Sequence, residues 1–174
     1  FLKKIKKAAS NDIKIKPADI FYNDKEHHVY NKDVNELVEE IEGDILYLDP
    51  PYNHRQYATN YHVLETIARY DNPKLKGKTG LRDYAKQKSL YCSRSKVKEV
   101  FKELINKCNF KYVFLSYNNE GLMSIEDIKE IMSQKGEYGC FRKDYSRFRA
   151  DIDGNRVYKD NKTIEYLHYI KTKV

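Results

Sequence analysis

The sequence predicts an α/β fold, and three observations carry that prediction. The run Asp44-Ile45-Leu46-Tyr47-Leu48-Asp49-Pro50-Pro51-Tyr52 drives a short apolar segment into an acid, two prolines and a tyrosine. Apolar runs of that length bounded by breakers read as buried strands. Upstream, a short β-prone segment and an amphipathic helix precede it, and strand–helix–strand order implies a parallel pair. Downstream, two β-prone segments finish the chain with the turn signal Asp153-Gly154 between them.

Taken in order, Phe1 to Ala9 reads as a short basic helix, with Leu2, Ile5 and Ala9 on one side. Ile13 and Ile15 alternate with lysines ahead of Pro17, which suggests an extended edge or linker. His28-Val29-Tyr30-Asn31 reads as a strand. Neighbours on a strand point to opposite faces, so His27 and His28 do not share a metal. Asp33 is placed to cap a helix running through Glu42, with Val34, Leu37, Val38 and Ile41 as its apolar face and Gly43 closing it. The next strand must stop at Asp49, because proline has no N–H and a fixed φ. Ligands of open α/β sheets bind beyond the carboxyl ends of strands, which puts Asp49 and Tyr52 where chemistry is expected.

A helix follows from Asn60 to Tyr70, with Tyr61, Leu64, Ile67 and Ala68 at helical spacing and Pro73 preventing extension. The polar stretch from Asp71 to Ser93 leads into Arg94. It carries Lys74, Lys76, Lys78, Arg82, Lys86 and Lys88, interleaved with Tyr84 and Tyr91. Basic residues with aromatics between them suit a nucleic-acid backbone and its bases. Gly77-Lys78-Thr79 is not a phosphate loop, since the required earlier glycine falls at Asn72 and no strand precedes. A helix starting at Ser93 or Ser95 carries the stripe Val97, Val100, Phe101, Leu104, Ile105. Lys111 to Tyr117 is a second buried strand ending in Ser116-Tyr117-Asn118-Asn119, whose polar residues face the expected site. Ser124 to Asp127 opens a further helix with a capping pattern, and Gly136 ends it. Strands are expected within Tyr138–Arg149 and Thr163–Lys171.

Composition narrows the function classes. The 174 residues suffice for one domain with a core. A formal net charge of +7 favours a polyanionic partner. Sixteen tyrosines without a tryptophan fill strands and offer half-exposed stacking surfaces. Cys92, Cys108 and Cys140 form no close pair and no zinc spacing, so neither a metal site nor a disulfide framework is expected. Reduced thiols fit a cytoplasmic setting. No apolar run has the length of a membrane span.

Asp49-Pro50-Pro51-Tyr52 after an apolar strand resembles the catalytic motif of N6-adenine DNA methyltransferases. The flanks Asn53-His54-Arg55-Gln56-Tyr57-Ala58-Thr59-Asn60-Tyr61-His62 and Lys111-Tyr112-Val113-Phe114-Leu115-Ser116-Tyr117-Asn118-Asn119 are similar to the Dam-like, D12-class adenine methylases. The resemblance implies a Rossmann-like S-adenosyl-L-methionine-dependent methyltransferase fold, incomplete here: a mostly parallel sheet with a C-terminal antiparallel strand pair. It implies catalytic roles for Asp49, Pro50, Pro51 and Tyr52, and cofactor contacts at Asp49 and Asp33, although capping alone accounts for Asp33. Arg55, Gln56, Tyr57, Asn60 and Tyr61 are expected to border a flipped base. Lys78 and Arg82 belong to the expected DNA-contacting loop, and Tyr145, Arg147 and Phe148 are looser candidates for the target base.

In this reading the Asp49 carboxylate and the Pro50 carbonyl hold the exocyclic amine of adenine. That localises its lone pair toward an incoming methyl group, and Tyr52 stacks on the extruded ring. Related Pro-Pro-Tyr motifs act on RNA adenine or on glutamine amides, since both present a planar NH2, and a non-catalytic nucleic-acid-binding fragment is the remaining alternative. Family members carry a glycine-rich loop for the cofactor, and the seven scattered glycines here form none. The chain starts at Phe1. The expectation is a partial catalytic domain over 1–174, with 1–26 a linker or the edge of a recognition region and 27–174 core. The missing N-terminal half, or another chain, supplies the rest. The partial chain is expected to bind S-adenosylmethionine poorly, to self-associate through open sheet edges, and to act on double-stranded DNA when complete.

Overall fold

The computed structural model describes residues 11, 12, 14, 16–146 and 162–173. The helix expected at Phe1–Ala9, the alternation at Ile13 and Ile15, Arg147, Phe148 and the Asp153-Gly154 turn lie outside the described residues. The chain divides into two units after Asn31.

Described residues of the first unit form neither helix nor strand, so the strand expected at His28–Asn31 is corrected. Backbone groups of a strand need a neighbour to pair with, and local side-chain contacts take its place. His27 bonds to Asn23 at 2.7 Å, and His28 lies 3.5 Å from the Glu26 carboxylate.

In the second unit, α1 (Val34–Glu40) starts where Asp33 accepts the Asn35 N–H at 2.8 Å. It ends at Ile41, whose backbone is already extended, and β1 (Glu42–Leu48) follows at once. Gly43 is therefore a strand residue, not a helix cap; a Cβ there would stand 3.3 Å from the Phe110 ring. The expected helix at 60–70 is split into α2 (Tyr57–Asn60) and α3 (His62–Arg69). Tyr70 ends α3 in the left-handed conformation, φ 49°. The segment beyond holds a bridge between Lys76 and Leu81 and two short 3-10 turns, Ala85–Gln87 and Leu90–Cys92. α4 (Val97–Lys107) buries the whole expected stripe. β2 spans Asn109–Asn118, and α5 (Ile125–Ser133) opens on a complete capping box between Ser124 and Asp127. β3 (Gly136–Ser146) and β4 (Lys162–Thr172) close the order, so Gly136 begins a strand after a two-residue turn rather than ending the helix.

The sheet runs β1-β2-β4-β3. β1 and β2 are parallel, while β2–β4 and β3–β4 are antiparallel. The late antiparallel pair matches the expectation. The mostly parallel sheet does not: among the described residues antiparallel pairing prevails, because no strand forms upstream of α1 and β4 inserts between β2 and β3. α1, α4 and α5 share one core with the sheet face of Leu48, Val113, Leu115, Tyr117 and Ile170.

Residues paired across strands share a face, so register also defines the opposite side. Ile45 pairs with Tyr112, Tyr47 with Phe114, Phe114 with Tyr169, and Leu167 with Phe141. That face is open: Ile45 is 62% exposed, Tyr47 61% and Phe141 61%. The doubly buried β1 read from the sequence is thus corrected. Among the described residues β1 is an edge strand with one neighbour, and within it only Leu48 is buried.

His168 of β4 is fully buried. Its Nδ1 lies 2.7 Å from the Tyr138 hydroxyl, its Nε2 has no partner among the described residues, and burial pushes its pKa down to about 4. An unfolded histidine titrates near 6.5. Between those values the unfolded chain takes up a proton that the folded chain refuses. Stability is therefore full above about pH 6.5 and falls toward pH 4, by up to about 3 kcal/mol from this group. His168→Leu is predicted to flatten the slope of unfolding free energy between pH 6.5 and 5, as measured by denaturant titration at each pH; an unaltered slope excludes the assignment.

Candidate active site

The site grows from the end of β1. Pairing with β2 runs to Leu48 opposite Leu115 and stops. Asp49 is exposed, and its carboxylate takes no hydrogen bond or ion pair from the described residues. The Pro50 carbonyl likewise receives no backbone donor among them. Two acceptors thus stand uncommitted on a turn stiffened by two fixed φ angles.

Tyr52 is half-buried. Its carbonyl accepts the Leu122 N–H at 2.9 Å and the Tyr117 hydroxyl at 3.4 Å. Its ring meets the Tyr117 ring edge-on, centroids 6.3 Å apart at 79°. The main chain of Tyr52 is therefore anchored, while its side chain stays on the rim.

The following turn is held from two sides. Asn53 accepts the Arg55 N–H at 2.9 Å. Gln56 spends both ends of its amide on one residue: its Nε2 donates to the Ser89 carbonyl at 3.1 Å, and its Oε1 accepts the Ser89 N–H at 2.8 Å. The Cys92 thiol donates to the Arg55 carbonyl at 3.3 Å, and burial pushes that thiol's pKa up, keeping the proton in place. Tyr91 extends the stitching by donating to Asn35, whose amide reaches the Val100 carbonyl.

Tyr57 and Tyr61 stand together, ring centroids 5.6 Å apart at 62°, each about half exposed. The Tyr57 hydroxyl is raised above its ordinary pKa, first by burial and then by the Asp49 charge, with smaller effects of Tyr52 and Tyr61. The fold therefore brings Asp49, Tyr52, Tyr57 and Tyr61 into one neighbourhood. Arg55 and Asn60 are exposed beside it, and the Arg55 guanidinium is unpaired among the described residues. Asp33 has one carboxylate oxygen committed to its own helix. Among the described residues no side-chain contact links it to the Asp49 turn.

Lys78 sits exposed at a tip between Gly77 and Gly80, both at positive φ. Arg82 is different, being only 7% exposed. Its two terminal nitrogens grip the Asp71 carboxylate at 3.1 and 2.5 Å, and one also reaches the Thr66 hydroxyl at 3.3 Å. Those bonds hold the Asp71 carboxyl below its usual range. Arg82 is thus an internal brace and does not present its guanidinium to solvent. Tyr145 is exposed on β3 opposite Thr163, and Arg147 lies outside the described residues. Asn118 and Asn119, expected to face the site, use their side-chain oxygens on Glu120 and Ile164 backbone N–H groups.

Sequence reading missed the roles of Tyr117, Gly121 and the Gln56 amide. A tyrosine where the buried side of a strand otherwise alternates Val113, Leu115 was the available signal.

The sequence model of the family described as D12 class N6 adenine-specific DNA methyltransferase matches residues 1–134. The chain is similar to Type II methyltransferase M.NlaIII of Neisseria lactamica, 50% identical over 98% of this chain and 51% of that protein. It is similar to Type II methyltransferase M.FokI of Planomicrobium okeanokoites, 41% identical over 100% of this chain and 27% of that one. Modification methylase StsI of Streptococcus sanguinis is 39% identical over 99% of this chain and 26% of its own length. The chain spans about half the length of the first of these relatives and about a quarter of the other two. No solved structure matches it.

Gln56→Leu removes both bonds to Ser89. We expect a loss of about 1–3 kcal/mol in stability and faster amide exchange over residues 89–92, with α5 unaffected. Equal exchange in both proteins would show that Gln56 does not hold this segment.

Proposed function

The chain belongs to the D12 class of N6 adenine-specific DNA methyltransferases, and from that premise we propose that its Asp49–Tyr52 turn grips the target amine in a site-specific DNA adenine methyltransferase. The observation that carries this reading is the pair of uncommitted acceptors, the Asp49 carboxylate and the Pro50 carbonyl, on a turn held by two fixed φ angles and by the bonds to the Tyr52 carbonyl. The names of the relatives, type II methyltransferases and a modification methylase, support placing the whole protein in a restriction–modification system.

The exocyclic amine of adenine is a poor nucleophile, because its lone pair is delocalised into the ring. Asp49 accepts one N–H and the Pro50 carbonyl the other, so the lone pair localises on nitrogen and the positive charge that develops there meets fixed acceptors. S-adenosylmethionine, when bound, supplies the methyl group as an electrophilic sulfonium substituent. The base must first leave the duplex, at a cost of about a few kcal/mol. The Tyr52 face offsets part of that through stacking, worth about 1–3 kcal/mol. Tyr57 and Tyr61 add an aromatic wall, Arg55 and Asn60 border the extruded nucleotide, and Gln56 acts by fixing the turn to Ser89. Lys78, with Lys74, Lys76, Lys86, Lys88 and Arg94, contacts phosphates, and Arg82 keeps that loop in shape. Tyr145 is a further candidate contact to the target base.

The cofactor is assigned to the whole protein. The residues here offer Asp49 and the second oxygen of Asp33, but the sequence holds no glycine-rich loop to wrap the methionine part. The open edge of β1 and the bare sheet face support a Rossmann-like sheet completed by strands and helices from outside these residues.

In the full-length protein, Asp49→Ala is expected to abolish methylation of duplex DNA while leaving DNA affinity within a few-fold. Tyr52→Phe should retain turnover, and Tyr52→Ala should lose about 5- to 150-fold, the worth of one stacked base. Undiminished methylation by the Asp49 variant, followed with a labelled methyl donor, would sink the reading. The isolated 174-residue chain is expected to bind S-adenosylmethionine weakly or not at all and to self-associate. Micromolar binding by calorimetry, or a monomeric mass by light scattering, contradicts the respective half of that statement.

A further inference from the structure

Tyr117 occupies the buried face of β2 two residues after Leu115 and is 2% exposed. A phenol so enclosed must find hydrogen-bond partners or pay desolvation. It finds as many as its chemistry allows, one as donor and two as acceptor. The oxygen accepts the Leu122 N–H at 3.1 Å and the Met123 N–H at 3.3 Å, and the hydroxyl donates to the Tyr52 carbonyl at 3.4 Å. The Leu122 N–H also reaches that carbonyl, at 2.9 Å. One carbonyl, one amide and one phenol thus form a closed triangle between the end of β2 and the turn carrying Asp49.

The turn after β2 is shaped for this contact. Gly121 lies flat on the Tyr117 ring: a Cβ there would stand 2.1 Å from one ring carbon and under 3 Å from two others. The Gly121 N–H closes the turn onto the Asn118 carbonyl at 3.2 Å, and the Asn118 side chain accepts the Glu120 N–H at 3.0 Å. The glycine serves close approach, because its φ is not among the positive ones. Burial pushes the Tyr117 pKa up, which keeps the phenol protonated as a donor.

We propose that Tyr117 is a positioning residue for the reaction: through the Tyr52 carbonyl and the edge of its ring, it sets the direction in which the Tyr52 aromatic face points. The inference rests on the reading of Tyr52 as the platform for the extruded base. It separates two jobs that a buried tyrosine can do. Packing needs only the ring, whereas aiming needs the hydroxyl.

Tyr117→Phe keeps the ring and removes the hydroxyl. In the full-length protein, kcat for methylation of a duplex substrate should fall about three- to tenfold, the equivalent of one neutral hydrogen bond, while KM for DNA stays within about twofold. A duplex with 2-aminopurine at the target adenine should show brighter emission with the variant than with the parent protein, because the extruded base stacks less well. Gly121→Ala should lower kcat further, since its Cβ displaces the ring. Unchanged kcat and unchanged emission in Tyr117→Phe overturn the proposal. So does a fall in melting temperature with kcat intact, which is packing alone. Amide exchange at Leu122 and Met123 needs no activity and should quicken in Tyr117→Phe; unaltered exchange also overturns the clamp. Failure of the underlying reading looks different: there Asp49→Ala or Tyr52→Ala methylates normally, whatever the exchange result.

Discussion

Two consecutive prolines at the end of β1 are the constraint on which the site depends. β2 continues for three residues beyond the last paired position, to Asn118, yet Pro50 and Pro51 have no N–H with which to follow it. The chain must leave the ladder at Asp49 with its acceptors unspent. Everything nearby then compensates for a turn that cannot brace itself. The turn after β2 donates into the Tyr52 carbonyl, the Gln56 amide locks onto Ser89, and the Cys92 thiol holds the Arg55 carbonyl. The donors come from elsewhere, so the Asp49 carboxylate takes no bond from the described residues while the turn around it is held.

What was legible in the sequence follows the range of the forces involved. The Asp49 stop, the α4 stripe from Val97 to Ile105 and the Ser124–Asp127 capping box are set by covalent geometry or by neighbours within two turns, and they were readable directly. His28–Asn31 forms no strand because β-propensity describes a residue that has a partner strand, and none pairs with it among the described residues. Gly43 failed because a helix can end simply by its next residue going extended, as Ile41 does. Arg82 and Gln56 show one limit of reading sequence: a polar side chain in a loop reads as available unless its partner is known. Asp71 lies 11 positions from Arg82 and Ser89 lies 33 from Gln56. Tyr117 carried the most missed information, since its hydroxyl becomes meaningful only once the turn folds back over it.

Among the described residues the sheet has a covered side and a bare one. α1, α4 and α5 seal the side of Val113 and Leu115, while Ile45, Tyr47, Tyr112 and Phe141 remain exposed on the other. Phe141 stacks on Tyr169 at 5.3 Å, and Tyr169 leans on Phe114 at 6.1 Å. Large apolar patches of this kind mark surfaces made to be covered.

The grip of Arg82 on Asp71 has a consequence for how such a protein diversifies. The clasp closes the stem of the excursion that holds Lys74, Lys76 and Lys78, and the Lys76–Leu81 bridge closes it again nearer the tip. Lengthening a loop beyond a closed stem adds little entropy, about 0.6 kcal/mol per doubling. The tip can therefore change length and composition at little cost while the residues behind the clasp keep their places.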